Sequence, residues 1–238
     1  MKKLNNLKIK IFADGANKKD MLDMNSKPFI KGLTTNPTLM KKEGITDYRN
    51  FCKDILKTIK EKPISFEVFS DDFSEMERQA REISSWGNNV YVKIPITNTN
   101  QENCYETVRK LSKDKIKLNI TAIMTLDQVK EVTSVLQSDV PSYVSVFAGR
   151  IADTGVDPEP VMTQAVSILK SLPAAELIWA SPRELLNIFQ ADRIGCQVIT
   201  VTNDILKKLT LIDYDLNTYS LDTVKMFYSD AVAAGFKL

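Results

Sequence analysis

The chain has 238 residues, 43% of them apolar and 26% charged, which suits one large folded domain and excludes global disorder. Its formal net charge of +2, from 32 basic and 30 acidic residues, gives no argument for binding nucleic acid or an anionic membrane, although it is compatible with a local anion site. The chain contains no histidine, which excludes Ser-His-Asp and Cys-His nucleophile systems and histidine-ligated metals. Any acid–base chemistry therefore depends on Asp, Glu, Lys, Tyr or bound water.

The cysteines and the N-terminal segment indicate a location. Cys52, Cys104 and Cys196 are scattered and form no CxxC pair, which argues against a disulfide framework and against a zinc site. The first residues, MKKLNNLKIKIF, lack the apolar core of a signal peptide, and no apolar run reaches membrane-spanning length. We therefore expect a cytoplasmic protein with no membrane partner and no bound metal.

Eight short apolar runs follow one another along the chain. Each is rich in Val, Ile and Phe and largely continuous, as is typical of strands that are buried on both faces. The runs cover residues 8–14, 29–35, 64–69, 89–96, 117–124, 143–149, 176–181 and 196–202.

Amphipathic segments separate these runs. Most repeat apolar residues every three or four positions, as helices do, whereas the first, NKKDMLDMNSK, is short and only weakly helical. Eight strands that alternate with helices predict an α/β fold of the (β/α)8 TIM-barrel type. The main alternative, a doubly wound open sheet, usually has fewer strands and a glycine-rich first turn, which DGANKKD does not match.

The last part of the chain predicts an additional C-terminal helix. The segment YSLDTVKMFYSDAVAAG lies beyond the eighth unit and carries apolar residues that pack on the barrel or on a neighbouring subunit. With no linker or internal repeat, we expect residues 1–238 to form one domain, with the barrel over about 8–210 and the helical tail over about 211–238.

Polar residues share one face of five predicted strands. Alternate residues of a barrel strand point inward, and catalytic groups gather at the strands' C-terminal ends. The opposite face of each strand is aliphatic and would meet the helices. One polar group in a strand is more often a satisfied core residue, but five strands with this pattern favour a functional cavity. The inward set reads Phe12 and Asp14, Glu67, Lys93, Asn119 and Thr121, and Ser145 and Phe147.

Lys93 lies in the middle of the buried strand NVYVKIPI. A buried ammonium group is unfavourable unless it is paired or neutralised. A desolvated lysine can be held as the free amine near neutral pH and then attack a carbonyl substrate to form a Schiff base. The alternative is a structural ion pair with Glu67 or Asp14, which does not explain the neighbouring Asn, Thr and Ser residues.

Two arginines follow the sixth and seventh strands. Arg150 lies in VFAGR, and Ser181 and Arg183 lie in WASPR, which we expect to begin a helix. Guanidinium groups, a hydroxyl and a helix N-terminus together favour a phosphate site. The alternative for each arginine is a surface salt bridge.

Taken in order, these segments resemble the transaldolase family over about residues 9–210. The most specific are GLTTNP at 32–37, VKIP at 92–95 and VSVFAGR at 144–150. SFEV, NITAI and WASPR stand in the expected places between and after them.

The resemblance implies a role for each residue. Lys93 would form the imine with a ketose phosphate, Asp14 would act as general acid–base, and Glu67 with Thr121 would hold a proton-shuttling water. The resemblance also implies no metal and no organic cofactor, because the imine is the electron sink. The remaining implied contacts are substrate binding by Thr35, Asn36, Asn119, Ser145 and Phe147, and phosphate binding by Arg150, Ser181 and Arg183.

Two alternatives stay open. Related fructose-6-phosphate aldolases carry an amide on the third strand and a tyrosine on the sixth, whereas Glu67, Asn119 and Phe147 are transaldolase-like. A catalytically silent sugar-phosphate-binding barrel is the other alternative. The resemblance implies the pentose phosphate pathway, sugar-phosphate ligands and a homo-oligomer, either a dimer or a decamer, with no nucleic-acid partner.

Overall fold

A closed barrel of parallel strands forms the body of the protein. The computed structural model describes residues 4–238. In this part of the chain, eight parallel strands close in the order β1-β2-β3-β4-β5-β6-β7-β8, which confirms the predicted (β/α)8 barrel. The strands are β1 Lys10–Asp14, β2 Ile30–Thr34, β3 Ile64–Glu67, β4 Val90–Pro95, β5 Leu118–Ile123, β6 Ser142–Val146, β7 Ala175–Trp179 and β8 Val198–Thr202.

Helices connect the strands and cover the outside of the barrel. Several first turns carry a side-chain cap from an Asn, Asp or Thr that precedes the helix; Thr125, for example, forms a capping box with Gln128. The helices are α1 Lys18–Ser26, α2 Pro37–Lys42, α3 Tyr48–Leu56, α4 Phe73–Ser84, α5 Tyr105–Lys113, α6 Leu126–Val135, α7 Ala148–Asp153, α8 Glu159–Leu169, α9 Leu186–Arg193, α10 Asn203–Lys207 and α11 Leu216–Ala233, with 3-10 turns at Leu4–Asn6 and Lys208–Leu211.

Two connections differ from the prediction. The sixth strand ends at Val146, and α7 begins at Ala148, so the predicted strand 143–149 was too long. Arg183 does not open a helix, because α9 begins only at Leu186. Ser181 adopts a left-handed φ of 58°, and the backbone N–H groups of Arg183 and Glu184 both donate to Asn187 Oδ1.

The barrel has two apolar layers. The larger lies between the strands and the helices, where Phe66, Val92, Ile120 and Val144 are fully buried. The smaller fills the interior near the N-terminal ends of the strands. There the Phe12 ring lies so close to Gly32 that a Cβ on that glycine would stand 2.5 Å from it, so glycine is required.

The C-terminal helix α11 leaves its apolar side uncovered. No residue of α11 is buried, and Val224 and Phe227 are 60% and 63% exposed. The chain does not fold this helix back onto its own barrel. Among residues 4–238, no helix combines the length and the apolar character that crossing a membrane requires.

Candidate active site

A cavity of about 630 Å³ opens at the C-terminal ends of the strands. It is lined by every predicted site residue except Thr35. Because all eight strands are parallel, their C-terminal ends meet at one mouth, which is where barrel enzymes carry their chemistry. The predicted lining residues are Asp14, Asn36, Glu67, Lys93, Asn119, Thr121, Ser145, Phe147, Arg150, Ser181 and Arg183.

Lys93 lies inside this cavity with only 7% of its surface exposed. Its Nζ donates a 3.1 Å hydrogen bond to the carbonyl oxygen of Thr35 and lies 3.2 Å from Glu67 Oε2. The register explains this arrangement, because Glu67 pairs with Lys93 and Lys93 pairs with Asn119 across β3, β4 and β5. The ion pair considered from the sequence therefore exists, but it lies within the cavity among other polar groups.

Thr35 contributes its backbone to the site. Its side chain is fully buried and donates to the carbonyl of Ser65 at 3.0 Å, outside the cavity lining. Strand β2 ends at Thr34, so the alternation places Thr34 inward and Thr35 outward. Thr35 therefore contacts the Lys93 amine through its backbone, because its carbonyl oxygen accepts the hydrogen bond from Nζ.

Asp14 ends β1, which β2 and β3 separate from the β4 strand of Lys93. Thr34 Oγ1 donates to Asp14 Oδ1 at 2.7 Å, and Asn36 Nδ2 donates to Oδ2 at 3.5 Å. Burial raises the pKa of Asp14 above its ordinary value of 3.8, and the charge of Lys93 and the Thr34 hydrogen bond oppose this only in part. A carboxyl group with a raised pKa is suited to holding and releasing a proton.

A chain of hydrogen bonds fixes the floor between β3 and β6. Ser145 Oγ donates to Asn119 Oδ1 at 2.7 Å, and Asn119 Nδ2 donates to Ser65 Oγ at 2.9 Å. Thr121 Oγ1 is buried and has no hydrogen-bond partner among residues 4–238, and in the same part of the chain buried Glu67 Oε2 has only its 3.2 Å ion-pair contact with Lys93 Nζ. Buried polar atoms usually have partners, so the Thr121 hydroxyl is available to a polar group that enters the cavity.

The two arginines lie at the rim, in different environments. The Arg150 guanidinium lies 5.6 Å from the centre of the Phe147 ring, and within residues 4–238 no acid pairs with it. Arg183 is held by Asp153, with a 3.0 Å bond from Nε to Oδ1 and a second bond from Nη2 to Oδ2. Because α9 begins later than predicted and Asn187 occupies the nearby backbone N–H groups, anion binding here depends on side chains.

Sequence reasoning missed several lining residues. Thr34 and Thr200 have hydroxyl oxygens in direct contact, and Thr34 also supports Asp14. The alternation of CQVITVT would have placed Thr200 and Thr202 inward by the rule that was applied to the other strands. Asp204, on α10, depends on the path of the chain after β8, which the pattern does not give.

No group of three or more His, Cys, Asp or Glu side chains within residues 4–238 is arranged to hold a metal ion. The ionisable groups of the cavity are instead spread over several strands and the segments that follow them. Their arrangement provides one amine, three carboxyl groups and two guanidinium groups around one space.

Solved structures share the fold. A 2,3-dimethylmalate lyase of the PEP mutase/isocitrate lyase superfamily matches with a TM-score of 0.55 and 11% identity, covering 99% of this chain and 87% of that one. A lyase/mutase from Burkholderia cenocepacia J2315, described as putative, matches with a TM-score of 0.59 and 11% identity, covering 88% and 82%. At this identity, the likeness concerns the barrel alone.

Sequence relatives are closer. A protein of Dehalococcoides mccartyi named "Probable transaldolase" is 35% identical over 202 residues, which covers 84% of this chain and 90% of that protein. Another of that name, from a Thermoanaerobacter species, is 33% identical over 232 residues, covering 97% and 100%. The profile of the family described as "Transaldolase/Fructose-6-phosphate aldolase" matches residues 11–237. The chain therefore belongs to the transaldolase/fructose-6-phosphate aldolase family.

Proposed function

We propose that the protein is a transaldolase. It transfers a dihydroxyacetone unit from sedoheptulose 7-phosphate or fructose 6-phosphate to erythrose 4-phosphate or glyceraldehyde 3-phosphate. The observation that carries this proposal is the buried Lys93 amine, which shares one cavity with Glu67, Asp14 and two rim arginines in a member of this family.

Imine formation begins at Lys93. The neutral amine attacks the ketose carbonyl, and loss of water from the carbinolamine leaves the imine. The contact between Lys93 Nζ and Glu67 Oε2 at 3.2 Å gives the amine proton a nearby acceptor. The buried hydroxyl of Thr121 lines the same cavity, which supports a water-mediated proton path between the two.

Bond cleavage then requires a base. Asp14 removes the proton from the hydroxyl at C4 of the bound ketose, the C3–C4 bond breaks, and its electron pair enters the imine to form an enamine. The aldose phosphate leaves, and the protonated carboxyl returns its proton when the enamine attacks the acceptor aldehyde. The raised pKa of Asp14 supports this role, because the group must hold a proton between the two half-reactions.

The size and charge of the cavity suit phosphorylated sugars. A volume of about 630 Å³ lies within the usual range for small-molecule sites. Arg150, Arg183 and the Ser181 hydroxyl lie together at the rim and provide donors for a terminal phosphate. The reactive amine lies deeper, so an extended sugar would bind with its carbonyl inward and its phosphate outward.

Acceptor dependence tests the proposal. With fructose 6-phosphate and erythrose 4-phosphate together, sedoheptulose 7-phosphate and glyceraldehyde 3-phosphate should appear in equal amounts. With fructose 6-phosphate alone, turnover should stop after the enamine has formed. Continued release of dihydroxyacetone without an acceptor would instead favour the second candidate, a fructose-6-phosphate aldolase.

The second candidate is supported by the family description, which includes both activities. Phe147 argues for transfer, because its ring lines the cavity without a hydroxyl that could help protonate and release the enamine. Phe147→Tyr should therefore raise dihydroxyacetone release relative to transfer, and Phe147→Leu is the matched control that adds no hydroxyl.

We also propose that the protein forms a homo-oligomer, for which the uncovered side of α11 is the support. Leu221, Val224, Phe227 and Ala231 recur at helical spacing on that side. An apolar groove of about 430 Å³ lies beside α9 and is open to an apolar helix of a second copy. The groove is lined mainly by Leu185, Leu186, Phe189, Leu211 and Ile212.

Light scattering should give a mass above that of one chain. The double variant Val224→Ser, Phe227→Ser should lower this mass, and a monomeric parent would contradict the proposal.

The cytoplasmic location and the place in the pentose phosphate pathway stay predictions. The three cysteines are free and buried, which is compatible with a reducing compartment.

A further inference from the structure

Asp153 ends α7 and contacts the segment that follows β7. It accepts two hydrogen bonds from Arg183, from Nε to Oδ1 at 3.0 Å and from Nη2 to Oδ2. This is the bidentate geometry in which a carboxylate fixes both the position and the plane of a guanidinium group. The bonds use the Nε side of Arg183 and leave Nη1 without a partner among residues 4–238.

A second contact joins α7 to the same segment. Gly149 N donates to the carbonyl of Ala180 at 3.3 Å, and a Cβ on Gly149 would stand 1.5 Å from the carbonyl oxygen of Ser181. Ser181 adopts a left-handed φ of 58°, which is unfavourable for a residue other than glycine. The two contacts fix the segment 181–183 against α7, which also carries Arg150.

The exposure of the ion pair limits what it contributes to folding. The side chains of Arg183 and Asp153 are 48% and 52% exposed, and exposed pairs generally contribute little to stability, with bidentate pairs at the upper end of the range. A carboxylate beside an anion site also opposes anion binding by its charge. Arg binds phosphate through a planar pair of donors, so the orientation of its guanidinium group affects binding. A role of Asp153 in orienting Arg183 therefore explains why a negative charge lies beside the anion site.

We propose that Asp153 is a positioning residue for phosphate recognition. It holds Arg183 so that the Nη1 side faces the cavity beside Ser181 and Arg150, and it thereby sets the affinity for phosphorylated substrates. This inference rests on the proposed function, since it assigns the rim to the phosphate of the sugar.

The test uses Asp153→Ala in the full-length protein. Loss of a charge-assisted orientation should raise KM for fructose 6-phosphate about tenfold, with kcat changed less than about twofold. The dissociation constant for inorganic phosphate, measured by calorimetry, should rise by a similar factor. Asp153→Glu, which keeps a bidentate acceptor, should recover most of the affinity.

The matched control is Asp114→Ala. Asp114 also pairs with an arginine, Arg81, at 2.7 Å, but this pair lies outside the cavity lining. Its loss should leave both KM and the phosphate constant unchanged. An equal effect of the two substitutions would overturn the inference, because the effect would then be a general one of surface charge.

Phosphate binding separates this inference from the proposed function. Lys93→Ala should still bind inorganic phosphate, since the rim does not depend on the imine. If Asp153→Ala leaves KM and phosphate affinity unchanged or improves them, Asp153 is a spectator or a competing anion and the inference fails, while transaldolase activity of the parent stands. If the parent binds phosphate normally but transfers no three-carbon unit, the proposed function fails instead.

Discussion

The two ends of the barrel interior use the same strands for different purposes. Near the N-terminal ends, Phe12 and Tyr143 meet edge to face with ring centres 5.5 Å apart, and Tyr91 and Tyr143 lie 4.4 Å apart. Two residues further along four of the strands, the inward side chain becomes polar and lines the cavity. The pairs that make this change are Phe12 and Asp14, Tyr91 and Lys93, Tyr143 and Ser145, and Val198 and Thr200.

The comparison shows that strand alternation determines which residues face the barrel interior. Their position along the strand then determines whether they pack in the apolar layer or line the cavity. The lower, apolar layer fills the barrel interior, where Phe12, Ile178 and Val198 are buried. The upper layer can then hold an amine and carboxyl groups in a space where electrostatic interactions are strong. Changes in the lower layer should therefore act on stability, and changes in the upper layer should act on chemistry.

The largest expected effect is on catalysis at Lys93. Lys93→Ala should reduce transfer by at least about 10⁴-fold, because the covalent route is lost. Lys62→Ala is the matched control, because Lys62 is half-buried and donates to the carbonyls of Asn25 and Lys27, far from the cavity lining. Comparable losses of activity in the two variants would contradict the assignment.

The lower layer should respond through stability. Phe12→Ala should lower the free energy of unfolding by about 3–5 kcal/mol, since it removes a fully buried ring that packs on Gly32 and Tyr143. Thermal unfolding measures the change, and Phe69→Ala, at a ring that is 64% exposed, should have a much smaller effect. The KM of the protein that remains folded should be unchanged. A loss of activity without a loss of stability would contradict the assignment of the lower layer to stability alone.

Glu67→Gln separates proton transfer from cavity shape. The amide keeps the size of the side chain but cannot take the proton from Lys93, so kcat should fall by about 10²–10⁴-fold. Glu77→Gln, on α4 and paired with Arg81, should leave kcat unchanged. Steady-state kinetics decide the matter, and a normal kcat in Glu67→Gln would remove Glu67 from the proton path.

The smallest expected effect is a pH-dependent gain in stability from Asp14→Asn. Because burial raises the pKa of Asp14 in the folded state, the folded carboxyl holds its proton to higher pH than the unfolded one. Its contribution to stability is full below the ordinary value of 3.8 and is lost as pH rises through the raised value. Asn does not ionise, so the variant should gain stability over the parent as pH rises toward neutral.

Unfolding in urea at a series of pH values measures this difference. A gap that shrinks with rising pH would mean that Asp14 is better stabilised as a carboxylate in the folded protein than its burial indicates. The same variant should lose transfer activity, because it cannot accept the substrate proton.

The sequence predicted the inward residues of β1, β3, β4, β5 and β6 because strand alternation is strict. It failed where geometry depends on the ends of strands. Thr35 follows the last residue of β2, and its side chain turns away from the cavity. The motif GLTTNP had predicted substrate binding by both Thr35 and Asn36. The contact of Asp153 with Arg183 joins the end of α7 to the loop after β7, 30 residues further along the chain, and no local pattern predicts such a pair.

The tail gives a different lesson. Its helix was predicted from periodicity and exists as α11. Whether the same chain covers the apolar side of this helix depends on the direction that the preceding turn gives to the helix. Here the segment after the 3-10 turn Lys208–Leu211 leads the helix away from the barrel.

The most direct test of the central claim is borohydride reduction of the protein in the presence of fructose 6-phosphate, followed by intact mass and peptide mapping. We expect one three-carbon adduct per chain, located on Lys93, and none in Lys93→Ala. An unmodified mass, as expected of a silent sugar-phosphate-binding barrel, or an adduct on a lysine outside the cavity would contradict the account.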